Sequence, residues 1–172
     1  MSYEINVTEE VVEINTFTQD ANYQRYYGAF VSTVDQPNAG ATSTNKMTYN
    51  VTNLSYGVSI VSNSRITMAN AGVYNIQFSA QIFKDDGGTD KLDIWLQKNG
   101  QNVANSNTEV VIVGNDARSV ASWNFLEAAS AGDYFEICWS SADTQLYLEA
   151  FATQSNPTRP AIPSIILTVN QI

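Results

Sequence analysis

The chain has 172 residues, seventeen acidic against eight basic, no histidine and a single cysteine. That length suits one domain, able to bury roughly 70% of the surface its unfolded chain would expose. The lone Cys138 excludes an intramolecular disulfide, and the net charge of −9 argues against a function built on neutralising phosphates or anionic lipid, so nucleic acid is not an expected partner.

Residues 1 to 24 open the chain with Glu4, Glu9, Glu10, Glu13 and Asp20, no basic residue, and short β-prone patches without turn signals. They are read as an extended N-terminal arm, with Tyr3, Ile5, Val7, Val12, Ile14 and Phe17 as its contacts to a partner. The start "MSYEINVTEEVVEINTF" has neither the basic beginning nor the apolar run of a signal peptide, and no segment reaches the ~18 apolar residues of a membrane helix. Synthesis in a cytoplasm and no membrane insertion are expected.

From residue 25 onward helical periodicity is nearly absent, and β-rich runs recur with Gly, Asn, Asp or Ser between them, the pattern of an all-β sandwich or barrel. Strands are expected at about 26–34, 46–51, 57–61, 64–69, 72–83, 90–98, 101–113, 117–127, 132–140, 144–152 and 163–171. In "GVYNIQFSAQIF" (72–83), Tyr74, Ile76, Phe78, Ala80 and Ile82 form a core row. The opposite row of Val73, Asn75, Gln77, Ser79 and Gln81 is uncharged, which is unusual for a face turned to water. "DDGGTD" (85–90) reads as a longer hairpin turn, Asn99-Gly100 as a type I′ turn, and "SNPTRPAIP" (155–163) as a proline-marked crossover before the last strand. On 90–98 the row Leu92, Ile94 and Leu96 is core, which turns Asp93, Trp95 and Gln97 outward. Trp123 and Phe125 alternate with Ser122, Asn124 and Leu126, and periodicity does not choose between those two faces. Tyr147 and Phe151 oppose Leu146 and Leu148.

Without histidine the Ser-His-Asp and Cys-His arrangements are excluded, and with them the commonest general base and metal ligand. Asp85, Asp86, Asp90 and Asp93 crowd one loop, where solvated turn residues outweigh a carboxylate pair of the kind that hydrolyses glycans. The same loop offers oxygen ligands that suit calcium, but it misses the EF-hand spacing, because the required Gly falls on Asp90 and no Glu closes it. A plain turn is the expected reading, with no catalytic residue, no cofactor and no metal. Cys138, in "YFEICWSS", is expected to be a buried thiol. The sequons at Asn6, Asn50 and Asn53 are ascribed to chance in so Asn- and Thr-rich a chain.

Taken in order, "YYGAF", "AGVYNIQFSAQIF", "LDIWLQKNGQNV", "LEAASAGDYFEICW" and an apolar last strand resemble the jelly roll of tumour necrosis factor (TNF) and of the complement globular heads, over residues 26 to 172. The resemblance implies an antiparallel jelly-roll β-sandwich for residues 25–172 and a compact homotrimer. It places the strand at 72–83 in the inner sheet beside the threefold axis, with Asn75, Gln77, Ser79, Gln81, Tyr147 and Phe151 at the interface. Neutral amides suit that place, since a like charge repeated three times about an axis is costly. Trp95, with Asp85, Asp86 and Asp90, remains as a candidate ligand or contact surface.

The family's vertebrate members carry a signal peptide, a collagen stalk or a membrane helix, none of which is seen here. A short, acidic, Asn/Thr/Ser/Gln-rich β protein with an arm resembles in style the virion proteins of tailed bacteriophages. The expectation is therefore a non-enzymatic capsid decoration (cement) protein on the virion surface, trimeric and bound to the major capsid protein through its arm. The alternative is a tail- or head-fibre tip that binds a host-surface glycan or protein through loops such as 85–90 and 155–162. A secreted-type signalling or lectin domain is the remote alternative.

Overall fold

The computed structural model of the chain describes residues 25–172, so the arm contacts Tyr3, Ile5, Val7, Val12, Ile14 and Phe17 lie outside the described residues. Every element within them is a strand: β1 (Tyr27–Ser32), β2 (Asn45–Lys46), β3 (Val51–Tyr56), β4 (Val58–Val61), β5 (Arg65–Met68), β6 (Gly72–Lys84), β7 (Thr89–Lys98), β8 (Gln101–Asn102), β9 (Thr108–Val113), β10 (Ala117–Ala129), β11 (Tyr134–Ser140), β12 (Leu146–Leu148), β13 (Gln154–Ser155), β14 (Thr158–Arg159) and β15 (Ile165–Gln171). Sheet one runs β10-β6-β15-β1-β3, with β12 continuing along β6; sheet two runs β4-β5-β11-β7-β8, with β2 on β11 and β9 on β7. All the pairings are antiparallel.

Period-two patterning accounts for this arrangement, since each sheet buries one face against the other. Tyr74, Ile76, Phe78, Ala80 and Ile82 of β6 are buried, as are Leu92, Ile94 and Leu96 of β7, Phe135, Ile137 and Trp139 of β11, and Ile165, Leu167 and Val169 of β15. Each large side chain among them stabilises the fold by about 1.5–3 kcal/mol relative to exposure. Trp123 and Phe125 turn inward on β10, where Trp123 meets Phe78 edge-on at 4.8 Å between ring centroids and Phe125 stacks on it at 6.1 Å. Ser122, Asn124 and Leu126 therefore face out.

Asn99 and Gly100 have φ of 51° and 79°, the doubly left-handed pair of a type I′ turn, and join β7 to β8 as expected. Other connections differ from the expected ones. The run 46–51 is not one strand: Met47 N–H bonds to Ile137 O, Tyr49 N–H to Asn63 O and Asn50 N–H to Val31 O, so the chain passes from sheet two to sheet one between β2 and β3. The run 101–113 is broken after β8, because both Val103 N–H and Ser106 Oγ are drawn onto the backbone of Leu96 and Asn105 takes a left-handed φ of 62°. Residues 154–159 form a small hairpin rather than a crossover; the chain leaves the β6 edge after β12 and returns to it at β15.

Candidate functional site

Sheet one presents its outer face as three transverse rows, Leu126–Asn75–Asn170–Tyr27–Tyr56, Asn124–Gln77–Thr168–Ala29–Leu54 and Ser122–Ser79–Ile166–Val31–Val51. No side chain in them is charged. Of the thirteen large hydrophobic residues exposed among the described residues, eight (Tyr27, Val51, Leu54, Tyr56, Val73, Val120, Leu126 and Ile166) lie on this one face. Apolar residues scattered singly need no explanation, but a contiguous, uncharged concentration of them marks a contact surface. At its middle, Ser79 and Ser122 leave a shallow depression of about 180 Å³ bordered by Gln77, Ile166 and Thr168.

Asn75, Gln77, Ser79 and Gln81 all point outward here, but in two different conditions. Asn75 is engaged within its own subunit, its Oδ1 accepting from Asn124 Nδ2 at 2.7 Å and its Nδ2 donating to Asn170 Oδ1 at 3.2 Å. The side chains of Gln77 and Gln81 have no partner among the described residues and remain able to bond to another molecule. Tyr147 and Phe151 sit beyond the end of this face. Phe83, though it shares the outward parity of β6, is buried, with Tyr147 edge-on to it at 5.1 Å. The Arg118 guanidinium covers the Phe83 ring at 4.2 Å and the Phe151 ring at 5.2 Å, and its Nε donates to Glu149 at 3.0 Å. Burial raises the Tyr147 pKa above its ordinary value.

The loop 85–90 is not a hairpin turn, because β6 and β7 belong to different sheets and the loop carries the chain between them. Asp85 is exposed, whereas carboxylate oxygens of Asp86, Asp90 and Asp143 lie within 4.8 Å of one another. Lys84, its side chain fully buried, ends among them: its ammonium donates to Asp86 O at 2.8 Å, Gly87 O at 2.5 Å and the Asp86 carboxylate, and pairs with Asp90 Oδ2 at 2.8 Å. Burial alone would lower the Lys84 pKa, but the hydrogen bonds to Asp86 and Asp90 outweigh it and the pKa is raised. The same bond holds the Asp86 carboxyl below its ordinary range. A calcium ion here would stand against a buried ammonium, so this donor set does not fit one.

On the outer face of sheet two, Trp95 leaves the core beside Asp93 and Gln97, as its strand parity requires, and its indole N–H donates to Asn102 Oδ1 at 2.9 Å. Cys138, opposite Trp95 on β11, is fully buried, and burial with the nearby Glu136 pushes its thiol up to about 12. This face is charged: Lys46 pairs with the buried Glu136 at 2.5 Å, Lys91 with Glu109 at 2.9 Å, and Arg65 lies over the Tyr134 ring at 4.6 Å. The residues that sequence reasoning missed are Tyr27, Leu54 and Tyr56 at the edge of the uncharged face, and Lys84, Arg118 and Glu149 at its end. Alternation in "YYGAF" held a signal for Tyr27, whereas the other five depend on strands distant in sequence.

No protein-family model and no curated protein matches the chain. Among solved structures it is similar to murine APRIL at pH 5.0 and at pH 8.0, each with a TM-score of 0.52 and 12% identity, over 87% of this chain and 100% of that one. The fold is a TNF-like jelly roll. At that identity the likeness concerns the fold alone, and within this jelly roll sheet one holds β6 between β10 and β15.

Proposed function

We propose that the protein is a non-enzymatic structural module of a tailed-bacteriophage virion, a homotrimeric jelly roll that decorates the capsid and is tied to the major capsid protein by residues 1–24. The observation that carries the reading is the three uncharged rows on the outer face of sheet one, bordered by Leu54, Tyr56, Tyr27 and Leu126, which suit burial against further copies. Gln77 and Gln81, whose side chains have no partner among the described residues, are the amides that would bond between copies near the axis. A β-prone arm adds to a partner's sheet through main-chain hydrogen bonds, and three arms on one trimer bind with avidity. Light scattering tests the first part, with a mass near three times 18.9 kDa expected and a monomer contradicting it. Deletion of residues 1–24 tests the second: the trimer should persist and no longer bind capsids, and decoration by the shortened protein would refute attachment through the arm.

A second reading, the tip of a tail or head fibre, is favoured by one observation, the outward Trp95 on sheet two. Stoichiometric copies over the capsid lattice in electron micrographs favour decoration; blocking of adsorption by excess protein favours the fibre.

A further inference from the structure

Beside Trp95 the outer face of sheet two opens into a cleft of about 480 Å³, within the usual range of small-ligand sites. It lies on the sheet opposite the uncharged face and does not depend on how copies associate. Its aromatic wall is held in place, because the indole N–H of Trp95 bonds to Asn102 Oδ1, which also accepts from Gln97 Nε2 at 2.9 Å. Asp93 lines the same cleft with one carboxylate oxygen bonded to Asn107 Nδ2 at 2.8 Å and the other without a partner among the described residues. The side chains of Thr44, Asn105 and Ser140 also line it and make no hydrogen bond among the described residues. Asn105 is held at the rim by a left-handed φ of 62° in the loop between β8 and β9.

From this set we infer that the cleft is a binding site for a neutral saccharide. A carboxylate accepts and cannot donate, so the ligand must bring hydrogen-bond donors to Asp93, as vicinal hydroxyls do. The lining holds no Lys or Arg, so a phosphate, sulfate or sialic acid would meet a carboxylate without a countercharge. The apolar C–H face of a pyranose ring lies against the Trp95 indole, while its hydroxyls bond to Asp93 and to the Asn102 amide, Asn105 and Ser140. Such a ligand needs both an apolar wall and convergent polar groups, and the cleft supplies both.

The full-length protein tests this on an array of neutral glucose-, galactose-, mannose- and N-acetylglucosamine-terminated oligosaccharides printed beside sialylated and sulfated ones. Binding to at least one neutral glycan is expected, followed in solution by a change in tryptophan fluorescence on titration with that glycan. Trp95→Ala and Asp93→Asn should each weaken it about tenfold or more, with melting curves verifying the fold, and Trp95→Tyr, which keeps an aromatic wall, should weaken it less. Acrylamide should quench Trp95 in the unliganded full chain, read as the difference from Trp95→Tyr. Binding to no neutral glycan, binding to anionic glycans alone, unchanged affinity in the folded variants, or a Trp95 shielded from acrylamide by the chain itself would each overturn the assignment.

Discussion

The two outer faces of the sandwich are built from the same kind of alternating strand and lie back to back on one core, yet their chemistry diverges. Sheet two meets water with Lys46–Glu136, Lys91–Glu109 and Arg65 over Tyr134, whereas the rows of sheet one carry amides, hydroxyls and exposed apolar side chains without a charge. Solvent tolerates either composition on a single strand. Three successive rows across five strands carry no charge, and the first charge on that face, Arg118, stands at its end over Phe83, whereas the opposite face uses charge freely. The cleft at Trp95 belongs to the charged side, so the proposed ligand site and the proposed contact between copies lie on opposite faces.

Neighbouring residues of β6 give the sharpest way to break this comparison, since Phe78 points into the core and Gln77 away from it. Phe78→Ala, which removes the ring packed on Trp123 and Phe125, should destabilise the fold by about 3–5 kcal/mol in urea denaturation. Gln77→Glu should spare the core, costing stability only through lost association, and lower the mass seen in light scattering from three chains to one; an intact trimer would return the row to ordinary surface. On sheet two, Lys46→Met leaves the Glu136 carboxylate buried with the Ser64 hydroxyl at 2.6 Å as its remaining partner. Denaturation should record a loss of about 1–3 kcal/mol with no change in mass.

The smallest expected effect concerns acid. Asp133, at the end of sheet two, accepts from Asn99 Nδ2 at 2.8 Å and from Ser130 N–H at 2.8 Å and pairs with Lys98 at 2.9 Å, which together hold its carboxyl at about 2. Its unfolded value is about 3.9, so the folded state binds its proton less readily. The stabilisation is complete above pH ~4 and disappears as pH falls through about 2. Melting temperatures measured from pH 5 to pH 2 should fall less steeply in Asp133→Asn than in the parent protein.

Where one sheet face is buried and the other polar, strands were legible: β6, β7 and the Asn99-Gly100 turn follow from alternation and from the one dipeptide that suits two left-handed residues. Alternation failed on β10, because Leu126 and Val120 on the outer side are as apolar as Trp123 and Phe125 on the inner, and only pairing with β6 distinguishes them. Asp-Gly chemistry in "DDGGTD" marks a reversal of the chain but not whether the next strand joins the same sheet. The split of 46–51 was hidden for a similar reason: buried Met47 and Tyr49 look like strand residues, and what ends the ladder is that their amides reach different places, Ile137 on β11 and Asn63 in the turn between β4 and β5. The neutral amide row was visible from the outset, while its extension through Tyr27, Leu54 and Tyr56 required the sheet order β6-β15-β1-β3.

Lys84 gives the passage between the sheets a further property. Its ammonium is a counterion tethered to the chain, so its local concentration among Asp86, Asp90 and Asp143 does not fall on dilution, and no chelator removes it. A loop that drew its cation from solution would loosen whenever the medium lost that ion. This one keeps its cation in low-salt and chelating media alike.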